Sequence, residues 1–130
     1  MTSAAQPEVQ ANLERAVASI AAARLLLATG YPDFSASRAY YAAFYAASAL
    51  LLTAGIETKT HNGILRAISL QFVKTGRLDK RFGQDINWLA ELRNLGDYGE
   101  LRHVPTEEAE KAITAAAFLT QVQAIASPLD

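Results

Sequence analysis

Apolar residues recur along this chain at helical spacing, and the pattern breaks only at glycine, proline and short polar runs. Leu13, Ala16, Val17, Ile20, Ala23 and Leu27 mark one face of a helix predicted from about Pro7 to Thr29. Pro7 suits the first turn, and Gly30 with Pro32 ends the element. A second helix is predicted to start after Asp33 or Ser35, each a suitable N-cap, and to run to Thr53 with Gly55 just past its end. It carries two apolar stripes, Tyr40–Phe44–Ala47–Leu51 and Tyr41–Tyr45–Ala49–Leu52, which places it at the centre of the fold. A third is predicted from about Thr60 to Lys74, with Ile64, Leu65, Ile68 and Phe72 facing in and Gly76 closing it. After the polar run "TGRLDKRFGQ", a fourth is predicted from about Gln84 to Tyr98, bearing Trp88, Leu92 and Leu95. A fifth begins at the N-cap Thr106, where Glu107 and Glu108 complement the helix dipole, and ends near Ser127–Pro128. No two-residue alternation extends far enough for a strand. The expected fold is all-α, an up-and-down antiparallel bundle of four to five helices, one domain over 1–130 with its core at about 8–126.

Composition agrees and narrows the chemistry. The 130 residues are 51% apolar, mostly Ala and Leu, which lose little entropy in a helix. A formal net charge of −1 gives no global basic field to drive indiscriminate nucleic-acid binding. Cysteine is absent, which removes disulfides and thiolate metal ligands. With two histidines and scattered carboxylates, neither a metal site nor a cofactor is expected. The start "MTSAAQPEVQ" lacks the charged-then-apolar pattern of a signal peptide, and the apolar run Ala36 to Ala54 is broken by Arg38 and tyrosines. A cytoplasmic protein without a membrane span is expected.

Three stretches carry candidate chemistry. On the second helix, Tyr40, Tyr41, Phe44 and Tyr45 follow Arg38, which can stack on Tyr41 or reach an anion. At the third, His61 is an acid or base near neutral pH, or a capping residue. On the fourth, "RNLGDY" presents Arg93, Asn94, Asp97 and Tyr98 within about two turns. Arg93 and Asp97 stand four residues apart and can pair, and so do Asn94 and Tyr98. A guanidinium matches phosphate oxygens. A tyrosine, with an ordinary pKa near 10, does not supply proton transfer near neutrality. His103 lies beyond Gly96 and Gly99 and must fold back to reach Arg93. The four bases Lys74, Arg77, Lys80 and Arg81 read as a solvated loop.

The stretches "SRAYYAAFYAASALLLTAGIETKTHNGILRAISLQFVKTGRL" and "LAELRNLGDYG" resemble the HEPN domain family (higher eukaryotes and prokaryotes nucleotide-binding), over roughly Ala11 to Leu119. Small stand-alone bacterial and archaeal members look most similar. The carriers are Arg38 with Tyr40, Tyr41 and Phe44; Lys59, His61 and Gly63; and Arg93, Asn94, Asp97 and Tyr98. The resemblance implies a helical bundle that dimerises, here through the second and fourth helices. It further implies an RNA- or nucleotide-phosphate groove lined by Arg38, Arg93, Asn94 and Tyr98. Many members are metal-independent RNases whose motif is Arg, often followed by a polar residue, and then His. Arg93 and Asn94 match its start, but no histidine lies between Asn94 and Glu100. Two functions follow as expectations. In the first, the chain is the homodimeric partner of a minimal nucleotidyltransferase in a toxin–antitoxin-type system, with Tyr98 as the tyrosine open to adenylylation. In the second, it is an RNase toxin in which Arg93 and Asn94 act with His103 or His61. A third reading makes the Arg93–Asp97 pair an architectural lock and nothing more.

Overall fold

The computed structural model describes residues 6–58, 60–99 and 102–126, with side chains followed as far as Thr120. It contains five α-helices: α1 (Gln6–Ala28), α2 (Pro32–Thr53), α3 (His61–Ile68), α4 (Arg81–Tyr98) and α5 (Thr106–Ala126). No strand occurs among the described residues. The end predicted near Ser127–Pro128 lies outside them.

α2 is the central element and packs against all four other helices. Seven of its alanines (36, 39, 42, 43, 46, 47 and 49) are buried. Small side chains on several faces let neighbouring helices approach closely. Cross-helix contacts fix the directions. Ser35 Oγ donates to Ala23 O at 2.7 Å, while Arg15 lies over Tyr45, so α1 and α2 run antiparallel. Ser37 bonds Asp97 while Tyr41 bonds Arg93, so α2 and α4 do too. The stack of Phe82 on Phe118 seats the start of α4 against the later part of α5. Tyr40, Leu51, Ile64, Ile68, Phe72, Leu89 and Val104 are the large side chains sealed in the core.

The ends of the helices show where local signals were misleading. α2 begins at Pro32, with Tyr31 as a cap residue that makes no side-chain bond. Proline is pre-organised for that position. Asp33 and Ser35, the expected caps, are instead spent on other segments. The C-terminus of α2 follows expectation: Gly55 has φ 76°, its N–H reaches Leu52 O and that of Ile56 reaches Leu51 O, a Schellman motif. The third helical stretch is not uniform. After Ile68 it widens into a π-helical turn, Ser69–Val73, closed by Lys74 N–H on Ser69 O at 2.9 Å. α4 starts three residues before the expected Gln84 because Asp79 Oδ1 accepts from Arg81 N–H at 2.9 Å. In α1, Val17 is 61% exposed, although it shares the apolar spacing of its buried neighbours Ala16 and Ile20.

Candidate functional site

Tyr40 joins three elements. Its side chain is sealed in the core, and a buried phenol requires a polar partner. His61, the first residue of α3, provides it: Nδ1 lies 3.2 Å from Tyr40 Oη. Thr60 sets the start of α3, its Oγ1 accepting from Gly63 N–H at 2.9 Å, and so fixes where the imidazole stands. From α4, Arg93 lays its guanidinium over the Tyr40 ring, with Cζ 5.0 Å from the centroid. Its Nη1 donates to Tyr41 Oη at 3.3 Å. Its Nε is buried and makes no hydrogen bond among the described residues.

This arrangement corrects the expected Arg93–Asp97 pair. Asp97 accepts from Ser37 Oγ at 3.2 Å, and Arg93 turns to the aromatic rings of α2. The rings offer a partly desolvated partner, where a cation–π contact exceeds the small gain of an exposed ion pair. The guanidinium is therefore held by phenols, which leave its charge intact.

Around this centre the electrostatics are consistent. Burial raises the Tyr40 phenol above its ordinary value; the Arg93 charge opposes this and Tyr41 adds to it. Burial lowers the His61 pKa below 6.5, a side-chain hydrogen bond that the imidazole makes to Asn87 works against the shift, and the Arg93 charge lowers it further. The imidazole is accordingly mostly neutral at pH 7, the state in which it accepts a proton.

Of the residues singled out in the sequence, the fold brings Arg38 and Arg93 together on Tyr41: Arg38 Cζ is 4.7 Å from that ring's centroid and Arg93 Cζ 5.9 Å. Asn94 is exposed on α4, and Tyr98, at the end of the helix, is 72% exposed. His103 does not fold back to Arg93. Its Nδ1 lies 2.7 Å from Asp33 Oδ2, while Asp33 Oδ1 accepts from Val104 N–H at 2.7 Å. Asp33 is eight residues before Tyr41 in α2, or ~12 Å along the helix axis. The contacts of Tyr40 with His61 and Arg93 were not visible in the sequence, because residues 21 and 53 positions away share no helical period with it. The available signal was weaker: a tyrosine at a fully apolar position needs a partner from elsewhere. Arg15, 5.8 Å over the Tyr45 ring from α1, had no signal at all.

Comparison with known proteins agrees with the fold. The family model for the HEPN domain matches residues 9–125. A Thermotoga maritima protein named as a UPF0332 protein is 39% identical over 108 residues, covering 82% of each chain. Two Methanocaldococcus jannaschii proteins, each named "Putative toxin", are 37% and 36% identical over 79% and 82% of this chain and 70% and 78% of their own. With a match across most of its length, this chain belongs to the HEPN domain family.

Proposed function

We propose that the chain is the HEPN subunit of a toxin–antitoxin-type pair, a cytoplasmic homodimer that receives nucleotide or RNA phosphate at Arg93 and partners a minimal nucleotidyltransferase. The observation that carries the reading is the state of Arg93. Its guanidinium lies over Tyr40 and Tyr41, donates to the Tyr41 hydroxyl, and has no carboxylate partner among the described residues. A half-buried cation without a counter-charge favours an anion, and a guanidinium favours phosphate. Arg38 adds a second cation on the same ring. The toxin names of the Methanocaldococcus relatives support the two-component setting. The exposure of Tyr98 supports its role as acceptor of an adenylyl group. Titration of a labelled RNA oligonucleotide tests the core of the reading: Arg93→Ala is expected to bind at least tenfold more weakly, and unchanged affinity would overturn it. Intact mass after co-expression with a minimal nucleotidyltransferase tests the partnership, with adenylyl mass expected on the wild type and missing from Tyr98→Phe.

One observation favours the RNase alternative. His61 bonds the same tyrosine over which Arg93 lies, and burial lowers its pKa. On that reading it takes the proton of an RNA 2′-hydroxyl while Arg93 holds the phosphate. The freed oxygen attacks phosphorus, the bond to the 5′-oxygen breaks, and the departing oxygen takes a proton from water. His103, engaged by Asp33, is set aside as the base. Cleavage of RNA by the wild type and its loss in His61→Ala, with binding retained, is the expected result. An intact RNA after incubation with the wild type removes this alternative.

A further inference from the structure

α4 and α5 both pack on α2, but they meet each other over much less of their length, and a groove stays open between them. It lies off the Arg93 face: Trp88, which lines it, is five residues before Arg93, or ~140° round the axis of α4. Arg81, Asp85 and Trp88 follow one another at helical spacing on the α4 side. The stack of Phe82 on Phe118, with 5.8 Å between centroids, sets the level of one helix against the other. Counted from it at ~1.5 Å per residue, Arg81 and Phe118 stand at one end of the groove. Asp85 comes level with Ala115 and Thr114 in the middle, Trp88 with Lys111 just beyond, and Glu110 and Glu107 form the far end. The strip is therefore cationic at one end and anionic at the other, with small and aromatic side chains between. Its groups are largely unused by the fold. Phe118 is 47% exposed, and Glu107, Glu110 and Lys111 are exposed without a salt bridge among the described residues. The Arg81 side chain is 71% exposed; it reaches Asp85 at 3.4 Å and lies over the Phe118 ring at 6.0 Å.

We propose that the α4–α5 strip is an interface with a second copy of this chain, the two copies related by a two-fold axis that passes beside Thr114. In such a contact the same patch serves both copies, so it must complement itself when turned end over end. A patch of one sign fails this condition. Here the turn lays Arg81 of each copy against Glu107 and Glu110 of the other, and Asp85 against Lys111, so every charge contact is made twice. Thr114 and Ala115 are small and stand at the axis, where the two copies approach most closely. Trp88 and Phe118 flank them with ring area to bury. From Glu107 to Phe118 the strip is ~16 Å long, and two helix diameters make it ~20 Å wide. That is roughly 300 Å² of footprint per copy, below the ~800 Å² of a standard interface, so the association is of the concentration-dependent kind. Exposed charges at its ends make it sensitive to salt. The inference goes beyond the phosphate reading and does not need it, since the strip and the Arg93 face are separate. Alongside a dimer formed through α2 and α4, it joins dimers in pairs.

The test is sedimentation velocity of the full chain over a concentration series at low salt. With rising concentration the wild type is expected to approach twice the mass of its Arg81→Glu variant, whether that variant stops at a monomer or at an α2–α4 dimer. Arg81→Glu and Glu110→Arg each set like charges against one another and are expected to weaken the association about tenfold or more. The double variant Arg81→Glu/Glu110→Arg exchanges the two signs and is expected to return to within about threefold of the wild type. Thr114→Glu places two carboxylates together at the axis and is expected to abolish the larger species, an effect peculiar to a two-fold contact. Arg81, Glu110 and Thr114 are exposed, so all four variants are expected to keep the wild-type circular dichroism and thermal midpoint. A wild type whose mass never exceeds that of Arg81→Glu and Thr114→Glu would overturn the interface. So would a folded double variant that stays dissociated. Unchanged masses in all four, with co-expressed nucleotidyltransferase lost from the charge-reversed chains, would overturn it by giving the groove to that partner.

Discussion

Two polar clusters bridge α2 and α4, and they are built on opposite principles. At the N-terminus of α2, Asp33 accepts from Val104 N–H and meets His103, while Ser37 meets Asp97. Every charged group there has a partner, and the backbones touch: a Cβ on Gly96 would lie 2.5 Å from Asp33 O. Two turns along, Arg93 lies among Tyr40, Tyr41 and His61 with no carboxylate and no Nε partner among the described residues. The first cluster has its bonds completed within the chain and holds the helices together. The second retains an unspent charge, and that difference directs the functional reading to Arg93 and away from His103, although both kinds of residue looked equally chemical in the sequence.

The contrast is sharpened by substitution, beginning where the largest effect is expected. Gly96→Val places side-chain carbons against the backbone of α2, which cannot withdraw without parting the helices. Overpacking of this kind costs about 3 kcal/mol, exceeding the ~1 kcal/mol that replacing glycine gains in a helix interior. Chemical denaturation is expected to show that loss, and a stable Gly96→Val protein would break the close-packing account. Next comes Arg93→Ala, whose loss of a charged phosphate contact corresponds to ~1.5–3 kcal/mol of RNA binding. Its thermal midpoint is expected to move far less than that of Gly96→Val. A collapse in stability would instead make Arg93 an architectural residue like those at Asp33.

Asp33→Ala removes the acceptor of the Val104 N–H, and is expected to cost about 2 kcal/mol. The His103 contact adds little, since His103 is 71% exposed and water screens it. Accordingly, His103→Ala is expected to fall within ~0.5 kcal/mol of wild type in the same denaturation series. Thr60→Ala is expected to cost about 1 kcal/mol through its lost cap, and to shift the His61 imidazole resonances by NMR.

The smallest effect is the pH dependence contributed by His61. Its folded pKa is depressed below 6.5, so around and below that pH the unfolded chain binds more protons than the folded one. The contribution is present above 6.5 and fades as pH falls through the folded pKa. His61→Gln is expected to flatten the fall in stability on acidification from that point, and an unchanged slope would show that His61 is not desolvated in the fold.

Much of the fold was legible because it follows from periodicity. The stripes of α2 predicted its central place, and Gly55 predicted its end, since only local backbone geometry was involved. The failures share a cause. Asp33 and Ser35 resembled caps, but tertiary partners, Val104 and Ala23, claimed their side chains. Val17 had the spacing of a core residue and faces solvent, because spacing identifies a face without saying how wide the neighbouring helices cover it. The π-helical turn at Ser69–Val73 had no local signal, as nothing in those side chains demands it.

At the candidate site the division is similar. Sequence alone determined that Arg93, Asn94, Asp97 and Tyr98 share one helical segment, that Arg38 precedes a run of aromatics, and that the chain is an all-α bundle. These depend on residues a few positions apart, which helical geometry relates directly. Only the tertiary structure decided which of them meet: that Arg93 leaves Asp97 for Tyr40 and Tyr41, that His61 arrives from another helix at the same phenol, and that His103 is held elsewhere. The physical reason is that a buried phenol and a half-buried guanidinium choose partners by shared burial, and burial is a property of helices packed together, which no single helix carries.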